Sequence, residues 1–295
     1  MRSTVAIIGT GLIGTSLGLA LRETDSRQRR RKRERLRIIG WDVRPSHARA
    51  AFRRGAITEI AKSMEEAVRD ASVIVIATPL DAARKIAPRV IAAAAKGALI
   101  IDVTPVKATM LRAVTAPLRR RPDIGYVSAH PMAGREQGGA SNAVPTLFEN
   151  RPFALIVAPS RKGRAAAVQA GRLVKKLRAI PLRMSAQTHD RAVAAMSALP
   201  QLASIALVLA AAQTGGRAAM LLAGPGFRDT TRLATSPYDI WEPAIAANRR
   251  EITRGLRALE RTMARLTRAA RQADVRAMER LFSEARAARK RVVAG

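Results

Sequence analysis

The sequence predicts an α/β fold, a doubly wound and mostly parallel sheet, followed by an all-α C-terminal domain. Three observations carry this. Short apolar runs alternate with helical stretches through the first part of the chain; a Gly-x-Gly-x-x-Gly run closes the first of them; and strand signals stop after about residue 185, where alanine-rich helical runs take over. Strands alternating with helices at this spacing specify parallel pairing with right-handed crossovers. A chain of 295 residues is long enough for two bodies with separate cores, expected at 1–185 and 186–295.

Taken in order, Val5-Ala-Ile-Ile-Gly9 is apolar on both faces, as a strand covered by helices on each side must be. Leu12–Leu21 follows as a helix and Leu36–Asp42 as the next strand. Val73–Ala77, Ala98–Asp102 and Ile124–Ser128 supply further strands, with helices at Ser63–Asp70 and Asp81–Ala95 among them. Two more short strands, Phe153–Ala158 and Ile180–Met184, flank a helix at Lys162–Leu177. Farther on, Ile245, Ile252, Leu256, Leu259, Met263 and Leu266 are spaced as one stripe of an amphipathic helix, a face that needs a partner in this chain or a second subunit. Asp274 is placed to cap a last helix bearing Met278, Leu281 and Phe282. No internal repeat of fixed period is visible.

The composition excludes several function classes. There is no cysteine, so a disulfide framework, a thiolate metal site and a cysteine nucleophile are ruled out, and no metal site is expected. The apolar run Val5–Leu21 lacks a small-residue cleavage site and carries Gly9, Gly11 and Gly14, so it is not read as an export signal. No uncharged apolar stretch is read as reaching the ~20 residues of a membrane helix. The expected location is cytoplasmic. The formal charge of +31 attracts anions, but the arginines are spread along the chain and only 3% of residues are aromatic. A solvated arginine-rich surface therefore explains the charge better than nucleic-acid binding. The basic run Arg27–Arg37 admits both readings, and a solvated helix end or loop is preferred.

The run Gly9-Thr-Gly11-Leu12-Ile13-Gly14 ends a strand and opens a helix, the context that makes it a Rossmann dinucleotide loop. Gly9 serves the tight turn, Gly11 admits a pyrophosphate to the backbone, and Gly14 lets helix and strand pack closely. The helix start then offers N–H groups and partial positive charge to phosphate. Asp42, at the end of the second strand, is placed to accept hydrogen bonds from ribose hydroxyls, which favours NAD. Arg44 leaves NADP open. Thr78 and Pro79, after the run Val73–Ala77, complete the candidate cofactor-binding set.

Four segments, Gly9–Gly14, Asp102-Val-Thr-Pro-Val-Lys107, His130-Pro-Met-Ala-Gly-Arg-Glu136 and Gly224-Pro-Gly-Phe-Arg-Asp-Thr-Thr-Arg232, together resemble the prephenate and arogenate dehydrogenases of tyrosine biosynthesis. The resemblance implies NAD-dependent oxidative decarboxylation of prephenate, with His130 as the catalytic histidine. A neutral imidazole suits the removal of a hydroxyl proton. It also implies Arg232 as the carboxylate-binding arginine, where a guanidinium grips through two parallel bonds. Glu136 matches an acidic position that gates or orients the site, Trp241 is expected to line the pocket or pack at a domain junction, and the helical domain is expected to form a homodimer.

Two departures from that family stand out. Ser197-Ala198-Leu199-Pro200-Gln201 replaces the usual Ser-His-Leu-Pro-His, which makes Ser197 and Gln201 the expected substrate contacts. Pro105 replaces a hydroxyl-bearing serine, and the adjacent Thr104 is the candidate substitute. Without a negative charge at Gln201, prephenate is preferred over arogenate. The other readings are a different small-carboxylate oxidoreductase on this scaffold, a nucleotide-binding module without catalysis, and a nucleic-acid binder using Arg27–Arg37.

Overall fold

The computed structural model describes residues 4–28, 36–135 and 137–294. The strands β1 (Thr4–Ile8), β2 (Arg37–Trp41), β3 (Glu59–Ile60), β4 (Val73–Ile76), β5 (Leu99–Asp102), β6 (Gly125–Pro131), β7 (Pro152–Val157) and β8 (Ile180–Arg183) form one sheet. Its order is β3-β2-β1-β4-β5-β6-β7-β8, and every neighbouring pair is parallel except β6 with β7. The order reverses between β1 and β4, so their carboxyl ends diverge around a crevice where open α/β sheets take ligands.

Helices α1 (Leu12–Gln28), α2 (Pro45–Arg53), α3 (Met64–Arg69), α4 (Leu80–Ala93), α5 (Lys107–Arg120) and α6 (Gly163–Lys176) accompany the sheet. Strand residues alternate between two buried cores. Ala6, Ile8, Ile74, Ile76 and Ile100 enter one, while Val5, Ile7, Val75, Leu99 and Ile101 enter the other. Because both faces are covered, these strands read as continuous apolar runs instead of alternating ones.

After the sheet come α7 (Ala186–Val193), α8 (Leu199–Leu221), α9 (Pro225–Thr231), α10 (Tyr238–Ala247), α11 (Arg249–Arg271) and α12 (Val275–Ala294). The chain divides into one unit of residues 1–192 with 236–247, and a second of 193–235 with 248–295. The division therefore differs from the expected boundary at 185. Helix α7 stays with the sheet because Asp190 accepts the N–H of Lys107 and Ala108 at the start of α5, at 2.8 and 2.9 Å. Helix α10 returns to the sheet, with Ala244 and Ala247 against the first core.

Two sequence expectations need correction here. The stripe from Ile245 to Leu266 is not one helix: Asn248 leaves helical geometry (φ −113, ψ 21) and separates Ile245 on α10 from the rest on α11. The second concerns length. Residues 192–216 carry no charge, and the helical stretch Ala186–Ala219 is long and apolar enough by those measures to cross a membrane. Ser197, Gln201 and Ser204 interrupt its hydropathy without adding charge. The expected cap does form, with Asp274 Oδ1 accepting from Ala277 N at 2.9 Å.

Close packing at the first turn of α1 depends on glycine. A Cβ on Gly14 would lie 2.0 Å from the carbonyl oxygen of Gly9, a main-chain atom with no freedom to step aside. Gly14→Ala should therefore lower the stability of the protein by about 1–3 kcal/mol, as overpacking does. Urea denaturation measures this, and an unchanged midpoint would show that the loop can yield.

Candidate active site

The nucleotide loop is built as the sequence predicts, with a brace that the sequence concealed. Gly9 has φ +95, and a Cβ there would sit 2.6 Å from the carbonyl oxygen of Ala77, so only glycine fits. Around the Cβ position of Gly11, by contrast, no described atom beyond the glycine and its chain neighbours lies within 4 Å, leaving the approach that a pyrophosphate requires. Leu12 and Ile13 begin α1, whose N-terminal N–H groups suit phosphate. Asp42 Oδ2 accepts from Thr10 N at 2.7 Å and Thr10 Oγ1 at 3.2 Å, and its Oδ1 accepts from Arg44 N at 2.9 Å. The carboxylate thus holds the loop in shape.

Thr78 lies against Gly9, and its buried Oγ1 has no hydrogen-bond partner among the described residues. Pro79 immediately precedes α4. An orphaned hydroxyl beside a loop with room at Gly11 fits a dinucleotide.

His130 lies near the end of β6, at the same carboxyl edge of the sheet. Its Nδ1 is 3.0 Å from Nε2 of His189, and Nδ1 of His189 is 2.8 Å from Oδ1 of Asp190. Burial holds the His130 imidazole well below its ordinary range, with the Lys107 ammonium and His189 adding to the effect. That shift favours the neutral imidazole, the form that can accept a proton.

Beneath it lies a buried polar cluster. Lys107 Nζ donates to Asp102 Oδ1 at 2.9 Å, to Thr104 Oγ1 at 3.2 Å and to the carbonyl of Ala129 at 2.6 Å. Tyr126 donates its hydroxyl to Asp102 Oδ2 at 2.9 Å. Desolvation pulls the Lys107 ammonium below its usual range against the attraction of Asp102, and pushes the Tyr126 hydroxyl up. The expectation that Thr104 replaces the serine lost at Pro105 fails: its hydroxyl is buried and donates to Asp102 at 2.6 Å.

In the second unit, Arg232 follows α9 and opens the short turn Arg232–Thr235. Gln201, expected to contact substrate directly, is buried, and its Nε2 donates to the carbonyl of Leu233 at 2.8 Å. With Ser204 Oγ accepting from Ala234 N at 3.1 Å, it supports the turn that carries Arg232. Its Oε1 has no partner among the described residues and keeps an acceptor available. Ser197 is partly buried in the widened turn Ala194–Ala198. Trp241, partly buried on α10, belongs to the first unit. Glu136 and residues 29–35 of the basic run lie outside the described residues; Arg37, at its end, forms a two-point ion pair with Glu59.

Sequence reasoning missed His189 and Asp190, and it left Lys107 without a role. The available signal was scarcity: the chain has three histidines, one of them followed directly by aspartate. The buried cluster also makes a stability prediction. Lys107→Met leaves Asp102 buried without its counter-charge and should destabilise the fold by about 3–5 kcal/mol, read from denaturant midpoints.

Comparison with known proteins agrees with this geometry. The family described as "Prephenate dehydrogenase, nucleotide-binding domain" matches residues 26–180, and "Prephenate dehydrogenase, dimerization domain" matches residues 185–284. The prephenate dehydrogenase of Bacillus subtilis (strain 168) is 29% identical over 255 residues, 85% of this chain and 66% of the relative. The "Probable prephenate dehydrogenase NovF" of Streptomyces niveus is 32% identical over 267 residues, 89% of this chain and 67% of the relative. The chain thus spans about two thirds of the length of these relatives. Among solved structures, prephenate dehydrogenase from A. aeolicus, in complex with hydroxyphenyl propionate and NAD+, superposes with TM-score 0.85 at 22% identity, over 99% of each chain. Synechocystis arogenate dehydrogenase gives 0.82 at 23%, over 98% of this chain and 99% of the other. The chain belongs to the prephenate dehydrogenase family.

Proposed function

We propose that the protein is an NAD-dependent prephenate dehydrogenase, converting prephenate to 4-hydroxyphenylpyruvate and carbon dioxide. The observation that carries this reading is the place of His130: an imidazole near the end of β6, at the carboxyl edge of the sheet that also presents the glycine loop. NAD, when bound, supplies the hydride acceptor. Gly9, Gly11 and the start of α1 would hold its pyrophosphate, Asp42 its ribose hydroxyls, and Thr78 a polar group nearby.

The chain's own residues then have separable tasks. His130 takes the proton from the ring hydroxyl as the carbon beneath it becomes a carbonyl. Arg232 holds a substrate carboxylate, and Gln201 keeps its turn in place. As the ring carboxylate leaves as carbon dioxide, the electrons of its bond pass through the ring to the new carbonyl oxygen, which takes back the proton held by His130 and becomes the hydroxyl of the aromatic product.

The active form is read as a cytoplasmic homodimer. Met196, Ile205, Leu207, Leu209, Leu221 and Leu222 are exposed in a single chain, apolar surface that a second copy would cover. The match to a dimerization domain supports the same reading and explains an apolar α8 without a membrane. Light scattering should therefore give the mass of two 31.8 kDa chains; a monodisperse monomer would refute it.

The catalytic reading is tested by following NADH formation from NAD⁺ with prephenate and, in parallel, arogenate. Activity should be greater on prephenate and should fall at acid pH as His130 protonates, with a midpoint below the ordinary imidazole value of 6.5. His130→Asn should lower kcat by about 10²–10⁴-fold, the usual contribution of a positioned base. Wild-type turnover in that variant would dismiss His130 as the proton acceptor.

A further inference from the structure

The proposed reaction requires a bare nitrogen on His130, and the surrounding hydrogen bonds determine which one it is. Asp190 faces the first turn of α5, where its Oδ1 and Oδ2 accept the N–H of Lys107 and Ala108. The helix start favours a negative charge there. A carboxylate held in this way only accepts, so the 2.8 Å contact with His189 Nδ1 places a proton on that nitrogen. With that proton on Nδ1, the Nε2 of His189 presents the lone pair. Its 3.0 Å contact with His130 Nδ1 needs a proton from His130, which leaves His130 Nε2 bare.

We propose that Asp190 and His189 form a positioning relay that keeps the proton of His130 on Nδ1 and makes Nε2 the base for the reacting hydroxyl. The relay rests on the prephenate dehydrogenase reading for its purpose, though its geometry stands apart from it. When Nε2 takes the hydroxyl proton, Nδ1–H remains in place, donating to His189, whose own N–H faces the Asp190 carboxylate. His189 itself is 1% exposed, so solvent does not compete for either of its nitrogens.

The test uses the full chain with ¹⁵N-labelled histidine. Spectra without substrate should show the proton of His130 on Nδ1, and likewise for His189. His189→Leu removes the acceptor and should lower kcat by about 10²-fold, as loss of an orienting partner does, with KM for prephenate little changed. His189→Gln keeps an oxygen able to accept from His130 and should recover most of that loss. A wild-type spectrum with the His130 proton on Nε2 overturns the relay. So does wild-type kcat in His189→Leu, or a folded His189→Gln as slow as the leucine variant. Should His189→Leu not fold, the glutamine variant and the spectrum decide. A wild-type protein inactive on prephenate would refute the reaction and leave the relay to be judged by the spectrum alone.

Discussion

The ammonium of Lys107 sits between the Asp102 carboxylate and the carbonyl of Ala129, and the carboxyl edge of the sheet is organised around it. Each partner comes from a different element: Asp102 ends β5, Lys107 starts α5, and Ala129 precedes His130 on β6. Burying two charges costs several kcal/mol for each ion, so such a pair persists only when the remaining hydrogen-bonding capacity is also met. Thr104 and Tyr126 meet it here, from opposite sides of the same carboxylate. What the cluster gains is placement. A strand end that would otherwise be free to shift is tied at the residue next to His130.

The same economy of parts links the helical stretch after β8 to the sheet. Asp190 caps α5 and also contacts His189, so one carboxylate secures a helix start and orients an imidazole. Both histidines of the Ser-His-Leu-Pro-His stretch that the resemblance implies are absent. Gln201 and Ala198 in their place carry no charge, and Gln201 is turned into the support of the Arg232 turn. The hydroxyl lost at Pro105 has no such replacement in Thr104, whose oxygen is drawn inward to Asp102.

On the nucleotide side, Asp42 shows how one carboxylate holds the glycine loop. It fastens Thr10, between the first two glycines, from the neighbouring strand β2, so the geometry of the loop is set across the sheet instead of along the chain. The excess of positive charge, +31 over the chain, lies mostly on solvated arginines and suits anionic substrates without dictating any contact.

The sheet, the glycine loop and the helical second part were legible in the residues, because apolar runs and glycine spacing are local properties that neighbours in sequence impose on one another. His130 and Arg232 were legible through their motifs. The sequence by itself thus determined the kind of fold and where its cofactor loop lies. Only the tertiary structure decided that Asn248 breaks the long stripe, that Gln201 faces a main-chain carbonyl, and that His189 meets His130. The physical reason is separation: 59 residues divide the two histidines, and no periodicity along a chain encodes which side chains a parallel sheet and its crossovers will bring within 3.0 Å.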